Sequence, residues 1–321
     1  MNEQPIIATP RLSETASSVV CRLLREPVAS TRRLPHGVMT YKFVVQLASG
    51  EAYVVRFYPP ARQWVIEFEP DLLRRCRSAG ARTPEVVADS RTGPPADLNY
   101  VIYRLIPGKP LSSCYNQLSA RMKCDLIEAV VEQIVLLHLL PMQGFGGLRD
   151  AERATSDSWE AFLTHSIRRG LACLKAQKGL APEYVQKLER ILRHLDPLWV
   201  DATPGLIWAD VKLDNILVDQ HQRFAGLLDF ESCLSGDSLV NLGYCFASYG
   251  DHSFSQLMVQ AWPDPLDDHA RRRLYLYAIL RAMRLAPHLR QELPTGRRRL
   301  PLEVILPGFH HAILSLDDML I

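Results

Sequence analysis

One segment constrains this chain more than any other: 206–230 is an apolar island of strand-like sequence within a half that is otherwise helical in pattern. It reads Ile207-Trp208-Ala209-Asp210-Val211-Lys212-Leu213-Asp214-Asn215, then Ile216-Leu217-Val218, a polar turn, and Phe224-Ala225-Gly226-Leu227-Leu228-Asp229-Phe230. Two short apolar runs joined by a polar turn predict a β-hairpin. Asn215 opens the first run and Asp229 closes the second, so antiparallel pairing brings both to one end, beside the polar loop that carries Asp210. An amide oxygen and carboxylates are what a hard cation such as Mg²⁺ accepts, with phosphate and water completing the octahedron. Each residue alone is an ordinary turn former, because Asp and Asn hydrogen-bond locally at loop ends. The triple between two apolar runs points to a metal site.

Around the island the chain divides in two. Helical spacing over 15–24 is followed by strand-like runs at 41–47 and 52–58, joined through Ser49-Gly50-Glu51 as a hairpin. A helix is predicted over 66–78, its regular part starting near Pro70 and Gly80 stopping it. Strands are predicted over 84–88 and 100–106. Pro107-Gly108-Lys109-Pro110 is the strongest break, and the domain boundary is placed there, giving 1–107 and 108–321. Beyond it, helices are predicted over 120–140, 159–176, 183–195, 271–285 and 309–316, with 144–147 as a loop. The expected fold class is α+β: a small β-rich N-terminal lobe and a larger helical C-terminal lobe with one embedded hairpin.

Composition narrows the function. A hydrophobic fraction of 47% and a charged fraction of 22% are globular values. The net charge of +2 gives no basic face for nucleic acid, and Arg271-Arg272-Arg273 and Arg297-Arg298-Arg299 are read as solvated segments. The seven cysteines include no C-x-x-C pair, and their odd number and irregular spacing indicate neither a disulfide framework nor a zinc site. With no signal-peptide pattern and no apolar run long enough to span a membrane, a soluble cytoplasmic protein is expected.

The segment Asp210-Val211-Lys212-Leu213-Asp214-Asn215 with Asp229-Phe230 resembles the catalytic loop and metal-binding turn of the aminoglycoside phosphotransferase and choline kinase-like enzymes, which share the protein-kinase fold. The resemblance implies that Asp210 is the catalytic base toward a substrate hydroxyl, and that Asn215 and Asp229 hold Mg²⁺ against the phosphates of ATP. It extends over roughly 34–250. Val54-Val55-Arg56 is similar to the strand whose cation touches phosphate, which makes Arg56 that cation. Glu69 falls where the family has the helix glutamate that pairs with it, with Glu67 as a rival. Tyr100 to Gly108 is similar to the family's hinge, which implies adenine contacts from the Arg104 C=O and the Ile106 N–H. In Pro35-His36-Gly37-Val38-Met39-Thr40, Gly37 would serve the phosphate loop, although an ordinary β-turn explains a single glycine nearly as well. Leu136-Leu137-His138 with Gly144-Phe145-Gly146 matches a further family pattern, and His138 is given no catalytic role.

Two departures touch the loop itself. The family's loop histidine is replaced by Trp208, and the aspartate that braces the loop backbone is replaced by Asn241 within Gly236-Asp237-Ser238-Leu239-Val240-Asn241. Both ends of one brace are altered, which suggests a repacked loop. The function implied is phosphorylation of a small hydroxylated acceptor: an antibiotic, a sugar or an amino alcohol. A nucleotide-binding pseudokinase with a regulatory role is the alternative. Carboxylates that would serve a polycationic acceptor are Glu231, Asp237, Asp251, Asp264, Asp267 and Asp268. The sequence leaves open the acceptor, the choice between ATP and GTP, and the oligomeric state.

Overall fold

A computed structural model describes residues 9–34, 39–177, 179–194, 202–289 and 301–320. Gly37 and the last residue of the helix expected over 183–195 lie outside the described residues. The described chain falls into two compact units that part between Pro107 and Gly108. Among the described residues no helix is long and apolar enough to cross a membrane.

The first unit is a helix laid on an antiparallel sheet. Helix α1 (Thr9–Leu24) places Leu12, Ala16, Val19 and Val20 on one stripe by the 3.6-residue period. That stripe packs against β2 (Tyr41–Leu47), β3 (Ala52–Tyr58) and β5 (Asn99–Arg104) through Phe43, Val45, Tyr53, Val55, Phe57 and Ile102. With β1 (Val28–Arg33) and β4 (Val86–Asp89), the strands run in the order β1-β2-β3-β5-β4. The period-2 alternation of β3 turns Tyr53, Val55 and Phe57 toward α1, so Arg56 and Tyr58 face the other side of the sheet. After a 3-10 turn over Pro60–Glu67, helix α2 (Glu69–Ser78) starts with Pro70 in its first turn, where a missing N–H costs nothing.

The second unit is mainly helical, with two small sheets. The island's second and third strands form the expected hairpin: β10 (Ile216–Val218) pairs with β11 (Phe224–Leu227), with Ile216 opposite Leu227. A short strand after the break, β6 (Lys109–Pro110), joins the other edge of β10. The other sheet joins β7 (Phe145–Leu148), β8 (Ala154–Ser156), β9 (Gly205–Ile207) and β12 (Leu234–Gly236) in the order β8-β7-β12-β9. Around them lie α3 (Ala120–His138), α4 (Trp159–Gln177), α5 (Pro182–Arg193), α6 (Val240–Tyr249), α7 (Ser253–Gln260), α8 (Asp268–Leu285), α9 (Leu302–Ile305) and α10 (Phe309–Met319). The α6–α8 crossing is close because Gly243 has no side chain: a Cβ there would stand 2.5 Å from Tyr277 Cβ and 2.7 Å from the Leu274 carbonyl. This approach fixes α8 beside the loop that carries Asp210.

Several expectations are corrected. Residues 144–147 are largely strand, not loop, because Gly146 and Gly147 pair with Ser235 and Leu234 of β12, a partner some ninety residues away. The helix expected to reach 140 ends at His138, α1 begins at Thr9, and β5 stops at Arg104, short of Ile106. Helix α8 starts before its arginine run, where the Asp267 side chain caps the Ala270 N–H at 2.7 Å.

Candidate active site

The hairpin in the second unit carries the core of the site. Asn215 ends a 3-10 turn (Leu213–Asn215) and leads directly into β10. Its carbonyl accepts the Leu228 N–H at 2.8 Å, which holds Asn215 level with the residue that follows Leu228. That residue is Asp229, whose φ of 64° is left-handed. A non-glycine residue costs about 1–2 kcal/mol in that region, and such strain concentrates at functional sites. Ala209, beside Asp210, has a φ of 62°, so both turns that present carboxylates are strained.

Asp210 is 9% exposed and heavily engaged. Its Oδ1 meets Arg281 Nη2 at 2.6 Å and Lys212 Nζ at 2.9 Å, and its Oδ2 accepts from Asn215 Nδ2 at 2.7 Å. Asn215 Nδ2 also donates to the Asp210 carbonyl at 3.0 Å. The amide of Asn215 is thereby oriented, nitrogen toward Asp210 and Oδ1 away from it. Burial pushes the Asp210 carboxyl up, and the charge of Asp229 adds to that; the cations Lys212 and Arg281 outweigh both and hold it below the ordinary carboxylate value. The group stays ionised and accepts hydrogen bonds.

The two departures in the loop both have partners. Asn241, fully buried, accepts the Ala209 N–H on its Oδ1 at 3.1 Å and donates from Nδ2 to the Ser238 carbonyl at 3.1 Å. Trp208, also fully buried, donates from Nε1 to the Leu228 carbonyl at 2.9 Å and lies 6.4 Å from the Phe230 ring. The indole therefore ties the loop bearing Asp210 to the strand end bearing Asp229. Trp208→Phe keeps an aromatic ring but leaves the Leu228 carbonyl without this donor. Chemical denaturation is expected to show a loss of about 1 kcal/mol, the lower end of the cost of an orphaned acceptor, because Leu228 is half-buried. Unchanged stability would mean that the bond contributes nothing.

The first unit holds a buried ion pair. Arg56 Nη1 meets Glu69 Oε1 at 2.9 Å, with side chains 4% and 1% exposed, and Arg56 Nε donates to Thr40 Oγ1 at 3.1 Å. Tyr58 OH donates to Glu69 Oε2 and lies 3.2 Å from Tyr103 OH. The Arg56 guanidinium lies 5.1 Å from the Tyr58 ring centroid. Burial pushes both phenols well above their ordinary value, so they remain protonated donors around the carboxylate. Glu67 is exposed, while Glu69 makes the pair with Arg56. Glu69→Gln is expected to lower unfolding free energy by about 1–3 kcal/mol, because a neutral amide leaves the Arg56 charge unanswered. A urea titration with an unshifted midpoint would contradict this.

The remaining sequence candidates are less closely tied. Arg104 is exposed, its N–H donates to the Glu85 carbonyl at 2.9 Å, and its side chain reaches Glu51 at 3.1 Å. Ile106 is half-buried just beyond β5. The sequence reading missed Lys212 and Arg281 at Asp210. Lys212 is two residues away and could have been marked by proximity; Arg281 lies 71 residues on and leaves no local signal. Among the described residues no cluster of three His, Cys, Asp or Glu could hold a metal. One asparagine amide oxygen and one aspartate carboxylate are donor types that suit a cation which keeps water and phosphate ligands.

The model of the phosphotransferase enzyme family (APH) matches residues 30–292. Viomycin phosphotransferase of Streptomyces vinaceus is 26% identical over 196 residues, covering 58% of this chain and 63% of that protein. The chain thus matches somewhat less than two thirds of that relative's length. A thermostable mutant of aminoglycoside phosphotransferase APH(4)-Ia, in a ternary complex with ADP and hygromycin B, superimposes with a TM-score of 0.68 at 18% identity, covering 95% of this chain and 98% of that one. APH(2'')-IIa, in a complex with streptomycin and ATP, gives 0.62 at 16% identity over 98% and 99% of the two chains. At such identities the likeness concerns the fold, which is the α+β fold of these kinase-like enzymes.

Proposed function

The chain belongs to the phosphotransferase enzyme family, and on that premise we propose that it is an ATP- and Mg²⁺-dependent kinase of a hydroxyl group on a small molecule. The observation that carries this reading is the arrangement at the end of the β10–β11 hairpin. Asn215 is locked to Asp210 by its Nδ2 and to Leu228 by its carbonyl, and Asp229 follows in a strained left-handed turn. Asn215 Oδ1 and the Asp229 carboxylate are the groups that would hold Mg²⁺, which when bound neutralises charge on the phosphates of the nucleotide.

The protein's own residues divide the remaining work. Asp210, ionised and fixed on both oxygens, accepts a hydrogen bond from the acceptor hydroxyl and takes its proton as the bond from that oxygen to the γ-phosphorus forms and the bond to the bridging oxygen breaks, releasing ADP. Its depressed basicity suits orientation more than early proton abstraction, as a loose phosphoryl-transfer transition state requires. Lys212 and Arg281 keep two positive charges at the place where negative charge is transferred. In the first unit we assign phosphate contact to Arg56, braced by Glu69, and adenine contact to the Arg104 carbonyl and the Ile106 N–H; Gly37 retains its proposed place in the phosphate loop. The pseudokinase alternative drew on Trp208 and Asn241. Both make well-formed hydrogen bonds that tie the loop together, which supports an active loop. The test is acceptor-dependent ADP release across antibiotics, sugars and amino alcohols. No Mg²⁺-dependent ADP release, with or without acceptor, would sink the reading.

A further inference from the structure

We infer that the acceptor carries an acidic group, recognised by helix α8, and is not a polycation; the inference rests on the reading of Asp210 as the residue that orients the acceptor hydroxyl. At 100° per residue, positions 273, 277, 281 and 284 of α8 fall within roughly 80° of arc, so they share one face. Arg273 is answered there by Asp237 at 2.5 Å, and Tyr277 donates to the same carboxylate at 2.7 Å. Arg281 is answered by Asp210 and lies 5.0 Å over the Tyr244 ring. Arg284 ends the row. Its guanidinium lies 5.5 Å over the Phe162 ring, and its Nη1 is buried with no acceptor among the described residues.

Arg284 is half-buried, and its Nη1, like Arg273 Nε and Arg281 Nε on the same face, has no acceptor among the described residues, so water or a ligand oxygen is needed to satisfy it. Arg284 is one turn, about 4.5 Å, along the axis from the arginine that touches Asp210. With one hydroxyl on Asp210, a small molecule lying along this face of α8 has Arg284 as the next cation within its length. The planar fork of arginine suits a carboxylate or phosphate.

Most of the carboxylates expected from the sequence to hold a polycation are occupied or set apart from Arg281. Asp237 is bound by Arg273 and Tyr277, Asp267 caps α8, and Asp251 faces His311 at 3.3 Å. Glu231 is buried and has its own interaction. Asp264 and Asp268 are exposed, Asp268 at the opposite end of α8, about 20 Å along the axis from Arg281. A molecule with several ammonium groups would meet Lys212, Arg281 and Arg284 instead, and like charges there repel.

Two measurements on the full-length protein test this. The first compares ADP release, with ATP and Mg²⁺, from matched acceptors: glucuronate against glucose, serine against ethanolamine, and hygromycin B as the polycation. Acid-bearing acceptors are expected to be preferred. Arg284→Gln should raise their KM about ten- to a hundredfold while shifting neutral acceptors far less. The second follows melting temperature in tartrate and in spermidine at fixed ionic strength. Tartrate should stabilise the wild type, the effect should shrink in Arg284→Gln, and spermidine should not stabilise it. Turnover of hygromycin B above the acidic members, stabilisation by spermidine in place of tartrate, or an equal effect of Arg284→Gln on neutral and acidic acceptors would overturn the inference. Mg²⁺-dependent ATP hydrolysis without acceptor, compared with Asp229→Ala, separates the two levels. If Mg²⁺-dependent ADP release is present, with or without acceptor, while acids are not preferred, the inference alone fails; if it is absent in both cases, the kinase reading fails as well.

Discussion

Asp210→Asn is expected to lower turnover by about 10²–10⁴-fold while nucleotide binding is largely retained, the range for loss of a general base. The structure adds reasons for both halves of that expectation. An asparagine at 210 is nearly isosteric, so the loop geometry set by the Asn241 bond to Ala209 and the Trp208 bond to Leu228 is preserved. What disappears is the negative charge that Arg281 and Lys212 share. Those two cations then lack their common counter-ion, with side chains 19% and 35% exposed. Some loss of stability is therefore expected as well, and it would be smaller in Lys212→Ala/Asp210→Asn than in Asp210→Asn alone, because one of the two unanswered charges is gone. Single-turnover kinetics with excess enzyme isolate the chemical step from product release. If Asp210→Asn matches wild type in that assay, Asp210 is not the base.

The same residue shows where sequence reasoning reached and where it stopped. Asp210, Asn215 and Asp229 were legible because each sits at a defined place relative to two apolar runs, and the β10–β11 register with Ile216 opposite Leu227 follows from that pattern. Arg56 and Glu69 were legible through the family resemblance, and the structure adds the physical reason for the pairing: two charges buried together answer each other. Their proton-donating neighbours Tyr58 and Tyr103 were not legible, since a tyrosine in a strand is unremarkable until its hydroxyl partner is known. Contacts across long stretches of chain escaped for a general reason. The pairing of β7 with β12, and the placement of Arg281 on Asp210, depend on which distant element packs alongside, and local periodicity carries no such information. The close α6–α8 crossing at Gly243 belongs to the same class: the glycine is visible in the sequence, but the Tyr277 Cβ it admits is not.

Asp229 separates stability from function most cleanly, because its backbone and its carboxylate make opposite demands. With φ at 64°, the position favours glycine, tolerates aspartate and asparagine, and penalises alanine. Stability measured by denaturation should therefore rank Asp229→Gly highest and Asp229→Ala lowest among the replacements, over a spread of about 1–2 kcal/mol. Affinity for the Mg²⁺–nucleotide complex should not follow that order. All three of Asp229→Gly, Asp229→Asn and Asp229→Ala are expected to lose on the order of a hundredfold, since each removes the anionic oxygen and only asparagine keeps a neutral one in its place. Isothermal titration with a non-hydrolysable ATP analogue, with and without Mg²⁺, measures the second order independently of the first. A metal ligand predicts that the Mg²⁺-dependent part of the affinity vanishes in all three variants, including the glycine variant whose fold is intact. If the glycine variant instead binds the Mg²⁺ complex as wild type does, the left-handed turn is serving the chain's path alone and the metal assignment falls.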